Sequence, residues 1–222
     1  MRTSGSAVLT ATAAAKRFDD APWGPLAAVD LTARAGCVSL VQGPAGSGRT
    51  SLVRCLTGGY RLSAGDVTVR VPGAAAVSLA VADPRSVAWL RTHHIACFDG
   101  ELVAAPTLPT AVAIARIARQ PRAAAVAALS RLGAARLAAV SVGGLRAPQR
   151  RTAALVAALL ADRDVVVLDD PEASAPVEPL SAWLQEAADG GAAVVVTAGT
   201  ESALRPIAAA VGQLEEGRIA WV

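Results

Sequence analysis

Short continuous runs of apolar residues alternate along this chain with longer segments of helical character. Three of the runs contain almost no polar residue, namely VSLV from position 38, VVVL from 165 and AAVVV from 192. An uninterrupted run is typical of a strand buried on both faces, as in a parallel sheet that helices cover. The alternation of the two kinds of segment therefore predicts an α/β fold.

The same patterns place the individual elements. The expected strands are 37–42, 66–71, 94–98, 165–168 and 192–197. The expected helices are 50–56, 109–118, 122–132, 149–161 and 178–188. Residues from about 91 to 150 are mostly helical, so we expect a helical subdomain inserted into one domain that spans 1–222, with its core formed by 1–90 and 151–222.

Composition narrows the classes of function. Alanine supplies 53 of the 222 residues and aromatic residues only 3%, which predicts a tightly packed core of small side chains. The net charge is +3 and no basic run exceeds Arg150-Arg151, so we expect no nucleic-acid partner. The opening residues MRTSGSAVLT lack the apolar region of a signal peptide, and no apolar stretch is long enough for a span. We therefore expect a cytoplasmic protein that does not insert into a membrane.

The strongest local motif follows the strand at 37–42 and opens the helix at 50–56. It reads GPAGSGRT from position 43, which is close to the Walker A pattern GxxxxGK[ST]. Glycines let successive backbone N–H groups point inward, and the helix N-terminus favours an anion. The candidate phosphate-binding residues are Gly43, Pro44, Ala45, Gly46, Ser47, Gly48, Arg49, Thr50 and Ser51.

Arg49 stands where this motif has a lysine. A guanidinium is broader and planar, whereas a lysine ammonium is a compact charge that fits against the phosphates. Arg49 still favours phosphate, but it cannot occupy the same space. The chain has 20 arginines and a single lysine, Lys16, which offers a compositional reason for the exchange.

Motifs in both halves of the chain resemble those of the ABC-type ATPases. VVVLDDPEAS at 165–174 resembles their Walker B strand and its continuation, and EEGRI at 215–219 resembles their closing hairpin. KRF at 16–18 resembles the loop whose aromatic residue stacks on adenine, and LSAGDVTV at 62–69 resembles the strands after the phosphate loop. The resemblance covers nearly the whole chain.

The resemblance implies a P-loop fold of ABC type, with a RecA-like core sheet, an N-terminal antiparallel β part and an inserted helical subdomain. It implies ATP and Mg²⁺ as ligands, with Phe18 against adenine, and Thr50 and Asp169 at the metal. In this family each active site is shared between two subunits. The resemblance therefore implies a dimer of this chain with itself or with a related ABC-type subunit, docked on an enzyme complex.

Within the family, residues 77–91 (VSLAVADPRSVAWLR) are similar to the region before the Q-loop in the L protein of the phosphonate carbon–phosphorus lyase system. This similarity implies a role in phosphonate metabolism. ATPases of lipoprotein-release exporters share a shorter sequence pattern around this region but lack the ADPRSV stretch.

Several functional positions of the family are altered in this chain. The candidate catalytic residue is Asp170, which is one methylene shorter than the family's glutamate. The Q-loop glutamine falls on Gly100, the signature LSGGQ on Leu145-Arg146-Ala147-Pro148-Gln149, the D-loop aspartate on Pro176, and the switch histidine on Ala198. Proline has no N–H to donate, so Pro148 removes one donor of the signature.

The sequence leaves four functions open. The first is an ATP-binding subunit with weak or absent hydrolysis that supports a partner complex for phosphonate breakdown. The second is a working ATPase that uses Arg49 and Asp170 with altered geometry. The third is the ATP-binding subunit of a transporter, and the fourth is a scaffold that binds no nucleotide.

Two further residues are interpreted without a functional role. Glu172, in place of the family's threonine, is interpreted as a solvated loop residue, and Trp89 is interpreted as a packed residue.

Overall fold

The computed structural model describes residues 7–18, 24–71, 73 and 75–222, and these residues form two sheets flanked by helices. The strands are β1 (Ala7–Lys16), β2 (Leu26–Arg34), β3 (Cys37–Gln42), β4 (Ala64–Val69), β5 (Val77–Ser78), β6 (Ile95–Phe98), β7 (Val165–Asp169), β8 (Ala193–Ala198), β9 (Ala210–Glu215) and β10 (Arg218–Trp221). The helices are α1 (Arg49–Leu56), α2 (Pro84–His93), α3 (Thr110–Ala118), α4 (Arg122–Arg131), α5 (Ala147–Leu160) and α6 (Val177–Asp189).

The larger sheet has the strand order β10-β9-β3-β8-β7-β6, and β9 to β6 in this order run parallel. Every residue of β7 and β8 is buried. Alternate residues point to opposite faces, so Val196 packs in one apolar core with the helices α3 to α6, while Val195 packs in a second core with α1. The expected α/β fold with a doubly covered parallel sheet is confirmed.

The second sheet is antiparallel, with the order β2-β1-β4-β5. Its inward residues, among them Leu9, Val29 and Val67, pack against α1 in the second apolar core. This is the antiparallel part that the resemblance implied. The hairpin of β9 and β10 also forms as expected, and its turn places Glu216 at φ 48° and Gly217 at φ 72°.

Two helices differ from the sequence expectation. Helix α5 begins at Ala147, two residues before the expected start. Helix α2 was not predicted, although its start carries a clear signal. The Asp83 carboxylate accepts hydrogen bonds from the N–H groups of Arg85 and Ser86, and Pro84 opens the helix.

The interpretation of Trp89 as a packed residue is wrong. Trp89 lies on the outer side of α2 and is 46% exposed. Its ring contacts those of His93 and His94 at interplanar angles of 32° and 51°, with centroids 5.5 and 4.7 Å away. The boundaries of the helical subdomain, about 91–150, stay a prediction.

Among the described residues, no helix combines the length and apolarity that crossing a membrane would need.

We expect Asp66→Asn to weaken the fold in a pH-dependent way. Burial tends to raise the pKa of Asp66, but hydrogen bonds from the Ser78 hydroxyl, the Ala80 N–H and the Thr68 hydroxyl outweigh burial and lower it. A lowered pKa stabilises the fold above the unfolded value of about 3.9 and loses that effect as the pH falls. Urea unfolding should show a loss of about 0.5–1.5 kcal/mol near neutral pH that shrinks towards pH ~3.

The matched control for this prediction is Asp189→Asn, at an exposed helix end. It should change the free energy of unfolding by less than about 0.5 kcal/mol. A difference between wild type and Asp66→Asn that stays constant with pH would contradict the assigned role of the Asp66 charge.

Candidate functional site

The glycine-rich loop 43–48 connects the end of β3 to the start of α1, as its sequence predicts. Gly46 and Gly48 have φ values of +82° and +101°, which other residues rarely adopt. A Cβ atom at Gly48 would also lie 2.4 Å from the carbonyl oxygen of Pro25. The glycines therefore allow both the loop conformation and its close packing, and the loop brings backbone N–H groups to the N-terminus of α1.

Two donors inside this loop lack a partner. The Ser47 hydroxyl and the Nη1 atom of Arg49 are buried, and neither has a hydrogen-bond partner in the described part of the chain. Leaving a buried donor unpaired costs about 1–3 kcal/mol, and more for a charged group. A phosphate group, which offers several acceptor oxygens, would satisfy both. The residues present therefore fit a phosphate ligand.

Asp169, at the end of β7, ties this loop to the sheet. Its Oδ2 accepts a hydrogen bond of 2.6 Å from the Thr50 hydroxyl, and its Oδ1 accepts one of 2.7 Å from Thr197 at the end of β8. The carboxylate is nearly buried, with 8% of the residue exposed. Hydroxyl and carboxylate oxygens are the ligands that Mg²⁺ prefers, so Thr50 and Asp169 are suited to hold it beside a phosphate.

Asp170 has a different environment. It adopts a left-handed conformation with φ 49°, and its backbone N–H donates to the carbonyl oxygen of Thr197 at 2.9 Å. Its carboxylate has no hydrogen bond or ion pair with any described residue. No described residue orients this carboxylate, and its catalytic role stays a prediction.

Phe18, the predicted adenine-stacking residue, lies in an aromatic cluster that the sequence alone did not indicate. Its ring meets the edge of Tyr60, with centroids 5.2 Å apart and an interplanar angle of 83°. The Lys16 Nζ lies 4.9 Å from the centre of the Phe18 ring, and Phe18 is 40% exposed. The cluster offers an aromatic surface next to a positive charge, which suits a nucleobase and its phosphates.

The segment that follows β8 is held from two sides. Gln42, which is almost fully buried, donates from Nε2 to the carbonyl oxygen of Thr200 at 2.9 Å. Glu172 accepts hydrogen bonds from the Ser202 hydroxyl at 2.6 Å and from the Ala203 N–H at 2.9 Å. The interpretation of Glu172 as a solvated loop residue is therefore wrong. Ala198, at the switch-histidine position, is completely buried and presents no polar group.

Gly100, at the Q-loop position, lies between two ion-paired neighbours. Asp99 accepts a hydrogen bond from Arg54 at 2.9 Å, and Glu101 accepts one from Arg150 at 2.6 Å. Hydrogen bonds to Tyr60 and Asp99 raise the pKa of Arg54, so it stays charged. A Cβ atom at Gly100 would meet nothing within 4 Å. The two pairs link this segment to α1 on one side and to α5 on the other.

The start of α5 coincides with the predicted signature position. Arg146 is the N-cap residue, and its N–H donates to the Gln149 side-chain oxygen at 2.9 Å. Pro148 lies in the first turn, where the missing N–H costs no helical hydrogen bond. Gly143 and Gly144 belong instead to a separate short turn that packs on Pro106. The start of α5 therefore lies at Arg146 and Ala147 and not at the glycine pair.

The parallel sheet, the glycine loop and the Thr50–Asp169 pair together define a P-loop nucleotide-binding protein. A model of the ABC transporter family matches residues 26–173, which is more than half of the chain. The chain therefore belongs to the ABC transporter ATP-binding family.

Known proteins of this family show how far the similarity extends. The chain is 30% identical over 155 residues to the zinc import ATP-binding protein ZnuC of Marinobacter nauticus, covering 69% of this chain and 52% of ZnuC. It thus spans about half the length of that relative.

Solved ABC cassettes have the same fold at low sequence identity. The dimeric cassette MJ0796 bound to ADP and Pi superposes with a TM-score of 0.79 at 16% identity, covering 95% of this chain and 96% of that one. The ADP form of MJ1267 superposes with a TM-score of 0.71 at 17% identity, covering 97% and 90%. Neither ZnuC nor these cassettes shows the similarity to a phosphonate-lyase protein, which stays a prediction.

We expect Thr197→Val to destabilise the protein by about 1–3 kcal/mol, because it leaves one oxygen of a nearly buried carboxylate without its donor. Valine has nearly the same shape as threonine, so packing is preserved. Urea unfolding measures the change. Thr200→Val, at an exposed position, is the control and should change stability by less than about 0.5 kcal/mol. Equal effects of the two substitutions would contradict the role of Thr197.

Proposed function

We propose that this ABC-type subunit binds Mg-ATP, hydrolyses it slowly or not at all, and uses the bound nucleotide to control its association with partner proteins. The observation that carries the binding proposal is a pair of buried donors, Ser47 Oγ in the glycine loop and Arg49 Nη1 at the start of α1, which have no hydrogen-bond partner among the described residues. The neighbouring Thr50–Asp169 contact supplies oxygen ligands for the metal.

Each group would have a distinct role in holding the nucleotide. Arg49 and the loop N–H groups would neutralise the phosphates, Thr50 and Asp169 would hold Mg²⁺, and Phe18 would contact the base. The bound metal would supply charge neutralisation at the phosphates. The chain's own residues would orient the nucleotide and exclude water from the loop.

Three features support slow hydrolysis. A general base must come within hydrogen-bond reach of the attacking water, and the Asp170 side chain is short and is oriented by no described contact. Ala198 has no proton-transferring or hydrogen-bonding side chain, and Pro148 removes an N–H donor from the start of α5. Losing one such contributor commonly slows catalysis by about 10²–10³-fold.

A surface groove supports the docking of a partner. It lies between α2, residues 101–103 and α5, and encloses about 340 Å³. Val103 and Ile117 on its wall are 88% and 47% exposed. These two side chains offer apolar surface that a protein partner could cover. We propose that this partner belongs to a complex for phosphonate breakdown, on the basis of residues 77–91, which include most of α2.

The second candidate is the ATP-binding subunit of an ABC transporter, of the lipoprotein-release or another type. The relative ZnuC, named for zinc import, and the same groove favour this candidate.

Co-purification distinguishes the two candidates. The tagged full chain is mixed either with a purified phosphonate-lyase complex or with a purified ABC permease. Ile117→Asp, which places a charge on the groove wall, should abolish binding to whichever of the two is the partner. Binding to the permease alone would contradict the phosphonate assignment.

We expect calorimetry to detect Mg-ATP binding, with a Kd between about 1 μM and 1 mM. Phosphate release from the same samples should be at least ~100-fold slower than a typical turnover of about 10 s⁻¹. Arg49→Ala should weaken binding at least ~10-fold because it removes a cation whose Nη1 atom is buried at the loop, and the charge-preserving Arg49→Lys should stay within ~3-fold of wild type.

Two outcomes would contradict the proposal. Absence of binding at millimolar Mg-ATP would indicate a scaffold that binds no nucleotide. Phosphate release near the typical turnover would establish a working ATPase. In that case Asp170→Asn, which preserves shape, should abolish release if Asp170 is its base.

A further inference from the structure

A cavity of about 560 Å³ lies between the turn after α1, the turn after β5 and the helix α2. Its volume falls within the range of ~300–1,000 Å³ that is usual for small-molecule sites. The glycine loop does not line it, and six of its ten lining residues lie within 77–91. The cavity therefore depends on a segment that the nucleotide site does not use.

One wall of this cavity is apolar. Leu79 belongs to the second apolar core, and Val87 packs against that core. A Cβ atom at Gly58 would lie 2.7 Å from a methyl carbon of Val87, so the turn after α1 and the helix α2 are in close contact. The wall is therefore anchored to the core and preformed for an apolar group. Its residues are Leu79, Ala82, Pro84, Val87 and Ala88.

The charged side chains of the lining are both positive. Arg61 and Arg91 are exposed, and neither has a hydrogen bond or an ion pair with any described residue. The Nη1 atom of Arg91 lies 3.3 Å from the position that a Cβ atom would take at Gly59, so it reaches the turn that carries Arg61. The lining residues include no aspartate or glutamate. Two arginines without a counter-ion therefore meet at the turn after α1.

The groups next to the cavity do not cancel this charge. Lys16 Nζ lies 5.7 Å from the centre of the Tyr60 ring, which is part of the lining. The carboxylate that is nearest in sequence belongs to Asp83, which is not part of the lining. It accepts hydrogen bonds from the N–H groups of Arg85 and Ser86 at the start of α2. The cavity therefore combines a positive end with an apolar wall.

We propose that this cavity binds a small organic carboxylate with an apolar body. The carboxylate lies on Arg61 and Arg91, because a guanidinium fork matches the geometry of its two oxygens. The apolar body lies against Leu79 and Val87, where it is removed from water. The volume suits a free small molecule rather than a helix or strand of a partner protein. This site goes beyond the proposed function, since it needs no nucleotide.

Amide NMR with 4-phenylbutyrate at constant pH and ionic strength tests the cavity directly. The amides of Gly58 and Val87 report on the cavity, and those of Gly46 and Gly48 report separately on the glycine loop. We expect saturable shifts at the cavity amides with a Kd of about 0.1–5 mM. 4-Phenylbutanamide keeps the apolar body without the charge, and acetate keeps the charge without the body. Each should bind at least ~10-fold more weakly than 4-phenylbutyrate.

Two pairs of variants test the two ends of the cavity. Arg61→Gln/Arg91→Gln should weaken 4-phenylbutyrate binding at least ~10-fold, whereas Arg122→Gln/Arg136→Gln, which removes the same charge outside the cavity, should stay within ~2-fold. Ala88→Glu places a like charge beside the ligand and should weaken binding at least ~10-fold, whereas the uncharged Ala88→Gln should stay within ~3-fold. All five positions are exposed, so the circular dichroism spectra should match that of wild type.

Three outcomes would overturn the proposal. The three compounds shift the cavity amides to the same extent, the shifts do not saturate, or the shifts persist unchanged in Arg61→Gln/Arg91→Gln. Shifts confined to Gly46 and Gly48 would also overturn it, because they would place the anion at the glycine loop. Mg-ATP is absent from these experiments, so a failure of nucleotide binding would refute the proposed function without affecting this site.

Discussion

The structure of the site depends on one nearly buried carboxylate. Asp169 accepts hydrogen bonds from Thr50 of α1 and Thr197 of β8, so a single side chain joins the phosphate loop to two neighbouring strands of the parallel sheet. A buried charge is stable only when its oxygens are hydrogen-bonded. The two threonines meet this requirement without a ligand, and the same oxygens are the ones a magnesium ion would use.

The altered family positions are compatible with the fold because each replacement suits its local backbone. Pro148 lies in a first helical turn, where proline is tolerated. Asp170 adopts a left-handed conformation, which aspartate accepts more readily than most residues. Ala198 fits a fully buried strand end. The fold therefore accommodates each of these residues at its position.

Ion pairs and hydrogen bonds hold the segments around the site in place. The Asp99–Arg54 and Glu101–Arg150 pairs flank Gly100, and Glu172 fastens the segment after β8. These contacts connect the loop helix, the start of α5 and the end of β8. Direct contacts thus fix the segments around the phosphate loop to one another.

Local physical rules explain what could be predicted from the sequence. The continuous apolar runs predict the buried strands because a strand covered on both faces must be apolar at every residue. The glycine loop is predictable because its backbone angles require glycine at particular spacings. The boundaries of α3, α4 and β3 agree with the expectation to within one residue, and the family follows from these motifs together.

Contacts between distant residues depend on the tertiary structure and leave no local pattern. Glu172 reaches Ser202 and Ala203 about 30 residues away, and Gln42 meets Gln213 across 171 residues. The Phe18–Tyr60 cluster arises in the same way. The sequence by itself thus determined the fold class and the phosphate loop. Only the folded chain decided which polar groups are paired and which remain available to a ligand, because pairing depends on neighbours that the topology brings together.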